Sequence, residues 1–351
     1  MNWVFMTVKY QPEGRAGNLG LHGTFLPNKL ESVHRWYPYL EGFSSTFVQD
    51  ITSRWANRQV STIYDPFGGT GTAITVAAVN GVRGLYSEIN PFMRHVIECK
   101  TNVLRRVANQ KREIASYFQD VTTTAMSLEL SEIQSEQALS AVFPGRPYFR
   151  GRRLIEILAL KTAIDYVDVT PDFRSLAKLA LASIGVASSE MKRQADLRYR
   201  TVKELLSDGY SVYSAFDAKC NQIVNDISSD YSTLTESFLA GENAVIQNSH
   251  QEEVDFIVTS PPYLNGTNYF RNTKIELWLA GFITHESELA KFTQEAMIAG
   301  INNVSKAARV SKTYPFVEAI AAKLDEVAYD KRIPALVRGY CSDTELWLSN
   351  C

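Results

Sequence analysis

Residues 61–88, STIYDPFGGTGTAITVAAVNGVRGLYSE, decide the fold of this chain. They predict a strand, a glycine-rich turn (65–71), a helix from Thr72 that Gly81 ends, and a second strand (83–87). A strand, a helix and a strand within about 30 residues are typical of the βαβ unit of a parallel sheet. The sequence therefore predicts an α/β fold, in which ligands bind at the carboxyl ends of the strands.

The glycine-rich turn, Asp65 to Gly71, predicts close contact between the backbone and a ligand, because glycine has no side chain and adopts positive φ. It is not a P-loop, since Thr72 and Ala73 follow the last glycine. It is not a dinucleotide-binding loop either, since Ile74 replaces the third glycine. A nucleoside-like ligand remains the expectation, with an ordinary structural turn as the alternative.

Two polar residues follow other predicted strands. Glu88 ends the second strand, where a carboxylate is placed to accept both hydroxyls of a ribose. The alternative for Glu88 is a solvated acid at the end of a strand. Asn243 follows a third predicted strand, where its amide suits the edge of an adenine.

A second turn, Ser260-Pro261-Pro262-Tyr263, follows the apolar run 256–258. Proline fixes φ and donates no backbone hydrogen bond, so the strand ends there and the turn is rigid. The turn places a hydroxyl, a carbonyl oxygen and an aromatic ring at the carboxyl end of a strand. This combination suits gripping a planar amino group between two acceptors while a ring stacks on its face.

The bulk properties describe an ordinary globular chain. It has 351 residues, 45% of them hydrophobic and 21% charged, and a formal net charge of −2. This charge gives no global sign of a nucleic-acid partner, although a local basic groove is enough for one. No apolar run approaches the roughly 20 residues that span a bilayer, and no signal peptide is recognised, so a cytoplasmic protein is expected. Scattered cysteines argue against disulfides and a metal site: Cys99, Cys220, Cys341 and Cys351.

Helical periodicity dominates outside the βαβ unit. A helix is expected from Pro91 toward Arg105, and the stretch 106–237 reads as a mainly helical insertion. Later helices are expected around 274–279 and 286–308. Arginines interleaved with aromatic residues suit DNA contact, with solvated surface as the alternative; the candidates are Arg150, Arg152, Arg153, Arg198, Arg200 and Arg271. Asn265, Asn268 and Tyr269 are further candidates for a base pocket.

These features resemble those of the S-adenosylmethionine-dependent DNA methyltransferases that modify exocyclic amino groups. The first motif of that family, F-x-G-x-G, is similar to residues 67–71, and its acidic second motif to Glu88. Its fourth motif, [D/N/S]-P-P-[Y/F], is similar to residues 260–263. The family's segment that closes over the cofactor resembles residues 34–47, with Phe43 at the centre.

The resemblance covers roughly residues 30–105 and 238–350. It implies a Rossmann-like methyltransferase sheet with an inserted helical subdomain. The chain then divides into an N-terminal segment with the cofactor-binding half (1–105), a helical insertion for DNA contact and target recognition (106–237), and a catalytic half (238–351).

The resemblance also implies S-adenosylmethionine as cofactor, double-stranded DNA as partner, and no metal. The implied cofactor-binding residues are Phe43, Asp65, Phe67, Gly69, Gly71, Glu88 and Asn243. The implied catalytic residues are Ser260, Pro261, Pro262 and Tyr263. A target base is flipped from the duplex, Ser260 and the Pro261 carbonyl accept hydrogen bonds from its amino group, and Tyr263 stacks on the base. Serine at the first position favours cytosine N4 over adenine N6.

The sequence departs from the family after Tyr263. A methyltransferase sheet needs further strands there, but the remaining residues up to Cys351 read mostly as helix or loop. The C-terminal part of the sheet is therefore expected to be missing, and a second polypeptide that completes it is one explanation. A catalytically silent fragment or subunit, and an RNA or protein amide methyltransferase, are the alternative functions.

Overall fold

The computed structural model describes residues 23–39, 42–54, 60–194, 196–206, 209–246, 253–264, 266, 269–304 and 314–351. The strands are β1 (Thr62–Asp65), β2 (Arg83–Ser87), β3 (Met191–Arg193), β4 (Leu197–Tyr199), β5 (Ser237–Gly241) and β6 (Phe256–Ile257). A four-stranded sheet has the order β5-β2-β1-β6, and each of its strand pairs is parallel. β3 and β4 form a separate antiparallel hairpin.

The helices surround the parallel sheet or extend from it. They are α1 (Ser45–Arg54), α2 (Thr72–Val79), α3 (Pro91–Glu98), α4 (Leu104–Val107), α5 (Lys111–Ser127), α6 (Glu132–Val142), α7 (Gly151–Tyr166), α8 (Pro171–Ser188), α9 (Val202–Leu206), α10 (Val212–Asp226), α11 (Tyr269–Leu279), α12 (Leu289–Glu295), α13 (Pro315–Val327) and α14 (Ile333–Ser349). A π-helical turn, Cys99–Val103, joins α3 to α4. Within the described ranges, no helix is both long and apolar enough to cross a membrane.

The predicted βαβ unit is confirmed. β1, α2 and β2 begin and end within one residue of their predicted bounds, and β1 pairs with β2 in parallel from Thr62 and Arg83 onward. α2 is apolar apart from Thr72 and Thr75, and all of its residues except Val79 are buried. An α/β fold with a parallel sheet therefore follows directly from residues 61–88.

The stretch between β2 and β5 is mainly helical, as predicted, but it also contains the β3–β4 hairpin. Its long helices share the largest apolar core with α3, α11 and the N-terminal residues Trp36 and Tyr37. The hairpin packs on α11 rather than on the parallel sheet. The Leu197 amide donates to Asn272 Oδ1 at 3.0 Å, and the Arg193 guanidinium donates to the Asn272 carbonyl oxygen at 3.0 Å.

The helix predicted for 286–308 is wrong in its length. A 3₁₀ turn, Glu286–Glu288, leads into α12, and α12 ends where Ala296 adopts an extended conformation with ψ of 156°. The helix stops there, and the next three residues, Met297, Ile298 and Ala299, are buried in the interior. Residues 305–308 lie outside the described residues, as do Asn265 and Asn268.

Among the described residues, no strand follows Ile257, and β6 lies at an edge of the sheet. α13 and α14 occupy the C-terminal part of the chain instead. α14 reaches the carboxyl end of β5, where Asn350 Nδ2 donates to the Ala244 carbonyl oxygen at 2.8 Å. Trp347 of α14 packs edge-on against Phe67, with ring centroids 5.4 Å apart.

Candidate active site

One cavity of about 380 Å³ lies at the carboxyl ends of β1, β2 and β5 and beside the turn that follows β6. This volume lies within the usual range of small-molecule sites, about 300–1,000 Å³. Its walls bring together the glycine-rich turn, the acid after β2, the residues after β5 and the Ser-Pro-Pro-Tyr turn. The predicted residues that line it are Phe43, Asp65, Phe67, Gly69, Glu88, Asn243, Ser260, Pro262, Tyr263 and Arg271.

The glycine-rich turn is held tightly between β1 and α2. Gly71 has φ of 76°, in the left-handed region that favours glycine. A Cβ on Gly71 would lie 2.8 Å from Ile97, and a Cβ on Gly68 would lie 2.9 Å from the same side chain. The two glycines therefore let the loop pack against α3 while its other side faces the cavity.

Glu88 closes the floor of the cavity. Its Oε2 accepts a hydrogen bond from the Gly69 amide at 2.7 Å, and its Oε1 accepts one from the Asn90 amide at 2.8 Å. Burial raises the pKa of the Glu88 carboxyl to about 7, and the nearby Asp65 carboxylate adds to the increase. Each carboxylate oxygen has a second lone pair, so Glu88 retains capacity to accept from ligand hydroxyls.

Asp65, the last residue of β1, is the second acid of the cavity. It is only 2% exposed, and its Oδ1 accepts a hydrogen bond from the Phe67 amide at 3.1 Å. Burial raises the pKa of the Asp65 carboxyl to about 7. Burial disfavours the ionised form of both carboxyl groups, and a nearby positive charge stabilises that form. Asp65 and Glu88 therefore favour a cationic ligand in the cavity.

The Ser-Pro-Pro-Tyr turn forms the opposite wall. Ser260 Oγ and the Tyr263 hydroxyl are 3.2 Å apart, and Tyr263 is 56% exposed. The Tyr340 hydroxyl, from α14, donates to the Pro262 carbonyl oxygen at 3.0 Å. Ser260, Pro262 and Tyr263 line the cavity, whereas Pro261 does not.

The Asn243 side chain, expected to contact an adenine, also makes two hydrogen bonds within the protein. Its Nδ2 donates to the Glu295 carbonyl oxygen at 2.7 Å, and its Oδ1 accepts from the Val245 amide at 3.0 Å. The first of these bonds ties the residues after β5 to the last residue of α12. Asn243 nevertheless lines the cavity, and its cofactor role stays a prediction.

The six arginines predicted to contact DNA have different surroundings. Arg271 lines the cavity. Arg152 is 87% exposed and pairs with Glu156, while Arg198 pairs with Glu204 at 2.9 Å. Arg200 donates to the Met191 and Ala187 carbonyl oxygens, at 3.1 and 3.0 Å, and so joins the hairpin to the end of α8.

Arg150 and Arg153 lie at the start of α7. The Arg153 guanidinium lies 5.6 Å from the centroid of the Tyr210 ring, and the Arg150 residue is exposed. DNA contact by Arg150, Arg152, Arg153, Arg198 and Arg200 stays a prediction.

Sequence reasoning missed one whole wall of the cavity. Residues 296–303, apart from Ile298, line it, and Arg332 lies at its rim just before α14. Asp343 of α14 fixes this segment by accepting a hydrogen bond from the Ile298 amide at 2.7 Å. The segment AMIAGINN carries no motif, so no sequence signal marks it as part of a site. Over the described ranges, no group of three or more histidine, cysteine or acidic side chains is arranged to hold a metal ion.

The chain is similar in sequence to curated methyltransferases. It is 21% identical over 332 residues to the type II methyltransferase M.BsoBI of Geobacillus stearothermophilus, covering 87% of this chain and 64% of that protein. It is 20% identical over 375 residues to the type II methyltransferase M.AvaI of Nostoc sp. strain PCC 7120, covering 93% of this chain and 73% of the relative. M.AvaI of Anabaena variabilis gives the same values.

The chain therefore spans less than two thirds of the length of M.BsoBI. No protein-family model matches the chain, and no solved structure matches it significantly. The fold brings the glycine-rich turn, Glu88 and the Ser-Pro-Pro-Tyr turn to one cavity. The chain is thus similar, at 20–21% identity, to type II methyltransferases over most of its own length.

Proposed function

We propose that this chain transfers a methyl group from S-adenosylmethionine to an exocyclic amino group of a base in double-stranded DNA, with cytosine N4 as the preferred acceptor. One observation carries the proposal: the glycine-rich turn, Glu88 and the Ser-Pro-Pro-Tyr turn line the same cavity, although nearly 200 residues separate the first from the last. A cofactor and an acceptor bound in one cavity of this size react without diffusing apart.

The residues of the cavity fit S-adenosylmethionine. This cofactor carries positive charge on its sulfur and on its amino group, and Asp65 and Glu88 are acids that a cation stabilises. The backbone at Gly69 is accessible to the amino-acid end, and Glu88 has lone pairs for the ribose hydroxyls, whereas Gly71, also expected to bind the cofactor, is buried and does not line the cavity. Phe43, Phe67 and Asn243 contribute further walls.

When bound, S-adenosylmethionine supplies a methyl group on a positively charged sulfur, and the amino group that accepts it releases one proton to water. Ser260 Oγ accepts a hydrogen bond from that amino group and orients its nitrogen. The Pro261 carbonyl oxygen, the second expected acceptor, would have to turn toward the cavity, since Pro261 does not line it. Tyr263, which is largely exposed at the cavity wall, stacks on the flipped base. Ser260 is also the reason for preferring cytosine N4 to adenine N6, since serine is the residue that goes more often with cytosine at this position.

DNA is expected to approach the rim of the cavity where Arg271 and Arg332 lie. Their side chains are 55% and 54% exposed, and a phosphate at Arg332 would replace its pairing with Asp330, now at 2.8 Å. The β3–β4 hairpin borders the same rim, because Asp196 lines the cavity and pairs with Arg271 at 3.9 Å. We accordingly propose that the region 106–237 contacts DNA beside the two halves that form the cavity, 1–105 and 238–351.

The decisive experiment incubates the purified chain with radiolabelled S-adenosylmethionine and mixed-sequence duplex DNA, with and without the product of its neighbouring gene. The expected result is label in N4-methylcytosine after digestion to nucleosides. Label in N6-methyladenine would move the acceptor to adenine. Activity only with the second polypeptide would support a subunit that needs a partner to complete the sheet.

Two further outcomes would overturn the proposal. Failure of S-adenosylmethionine to bind in calorimetry would leave a catalytically silent fragment. Incorporation into RNA or protein, with none into DNA, would change the substrate class.

A further inference from the structure

Lys100 is a buried amine that contacts the glycine-rich turn on the side away from the cavity. It lies in the π-helical turn Cys99–Val103, and its side chain is fully buried. Its Nζ donates a hydrogen bond to the Thr70 carbonyl oxygen at 3.1 Å. Burying an amine is costly unless it finds a partner, and π-helical turns are frequent at functional sites. The hydrogen bond from Lys100 to Thr70 therefore points to a role in the glycine-rich turn and not only in packing.

The hydrogen bond fixes one particular peptide group of the turn. The peptide between Thr70 and Gly71 is held at its carbonyl end by Lys100, and at its amide end by the Gly68 carbonyl oxygen at 2.8 Å. Gly69 and Gly71, on either side of Thr70, have φ of 51° and 76°. Because glycine accepts many other backbone conformations, the turn keeps this shape only through such outside contacts.

The hydrogen bond from Lys100 to Thr70 is available at neutral pH whether or not the amine is charged. Burial lowers the pKa of Lys100 to about 7, and the Lys219 ammonium lowers it further, whereas the Cys99 thiol acts in the opposite direction. Burial also lowers the pKa of His34 to about 3, with a contribution from Lys100, so His34 is neutral. An amine donates a hydrogen bond in both its charged and its neutral form, so the bond to Thr70 does not depend on protonation.

We propose that Lys100 is a positioning residue for the cofactor, which holds the Thr70–Gly71 peptide in the conformation that receives the amino-acid end of S-adenosylmethionine. This inference rests on the proposed function. With the Thr70 carbonyl oxygen turned toward Lys100, that oxygen points into the protein and leaves the cavity side of the turn for the ligand. Without Lys100, rotation of this peptide brings the oxygen toward the carboxylate of the ligand, which it repels.

The test compares the binding of two ligands that differ in the amino-acid end, which is the part proposed to contact the glycine-rich turn. S-adenosylhomocysteine has the amino-acid end, and methylthioadenosine lacks it. Calorimetry on Lys100→Met is expected to show about tenfold weaker binding of S-adenosylhomocysteine, since the hydrogen bond that holds the Thr70 carbonyl oxygen is lost. Binding of methylthioadenosine is expected to stay within about twofold of the unsubstituted protein. Lys111→Met is the matched control, because Lys111 Nζ donates to two backbone carbonyl oxygens, both at 3.3 Å, away from the cavity.

Hydrogen exchange of the ligand-free protein supplies a second readout. Amides of residues 66–72 are expected to exchange faster in Lys100→Met than in Lys111→Met. Should Lys100→Met fail to fold, Lys100→Arg serves instead, and because it keeps donors it is expected to bind S-adenosylhomocysteine better than a folded Lys100→Gln.

Equal weakening of both ligands, or no weakening of either, would refute the role of Lys100. Failure of the unsubstituted protein to bind either ligand would refute the proposed function itself.

Discussion

The Tyr340 hydroxyl donates a hydrogen bond to the Pro262 carbonyl oxygen, at 3.0 Å, and so joins the C-terminal helix α14 to the turn that follows β6. Asp343 of the same helix accepts a hydrogen bond from the Ile298 amide at 2.7 Å. Asn350, just past its end, donates to the Ala244 carbonyl oxygen. α14 thus contacts three separate walls of the cavity, and its side chains determine how those walls sit relative to one another.

Replacing Tyr340 with Phe should slow methyl transfer without weakening cofactor binding. The substitution leaves the Pro262 carbonyl oxygen without this donor, and one hydrogen bond contributes about 0.5–1.5 kcal/mol net. We therefore expect kcat to fall about threefold to tenfold while the Kd for S-adenosylhomocysteine stays the same. Tyr329→Phe is the control, since Tyr329 is 81% exposed. Equal kcat values for the two variants would show that the turn does not need α14.

Ser260→Ala should lower kcat more than Tyr340→Phe does. The hydroxyl is proposed to touch the amino group itself, so its loss removes an acceptor in the transition state, which we expect to reduce kcat by at least about tenfold. Cofactor affinity measured by calorimetry should not change. Ser53→Ala, on the exposed side of α1, provides the control. Full activity of Ser260→Ala would remove Ser260 from the proposed mechanism.

The sequence predicts the parts of this site that carry a local pattern. Residues 61–88 alternate strand, glycine turn, helix and strand within one short stretch, so the fold and the position of Glu88 follow from local rules. The Ser-Pro-Pro-Tyr turn is predictable because two prolines restrict the backbone. Both turns lie at the cavity because parallel strands end at one edge of a sheet.

The rest of the site depends on tertiary contacts that leave no local pattern. Residues 296–303 form a wall only because Asp343, far along the chain, accepts from the Ile298 amide. Lys100 lies in what reads as one continuous helix, and nothing in the sequence separates a buried lysine there from a solvated one. Arg332 lies just before α14 in the stretch Tyr329-Asp330-Lys331-Arg332, which carries no motif that marks it as a rim residue.

Replacing Arg332 with Ala should weaken DNA binding and reduce its dependence on salt. Each phosphate contact adds about one unit to the slope of log K against log salt concentration, so loss of one contact should reduce the slope by about 1. The variant is measured by fluorescence anisotropy on labelled duplex DNA between low and high salt, beside Arg271→Ala. Arg112→Ala, on an exposed position of α5 outside the cavity, is the control. A slope equal to that of the control would mean that DNA does not approach by this rim.

Stability of the ligand-free protein should fall as pH rises from about 4 to 7, partly through Asp65. Burial raises the pKa of its carboxyl from 3.8 to about 7, so in this interval the folded protein retains a proton that the unfolded chain has released. The stabilisation is therefore complete below about pH 4 and is lost as pH rises toward 7, by at most about 1.4 kcal/mol per pH unit.

Asp65→Asn does not titrate, yet it keeps an oxygen for the Phe67 amide. Urea unfolding at several pH values should show a flatter profile for Asp65→Asn than for Asp50→Asn, which changes a partly exposed acid of α1 that pairs with Arg54. Parallel profiles for the two variants would mean that Asp65 is already ionised in the folded protein at low pH. The cavity would then hold a permanent negative charge before any cationic cofactor enters.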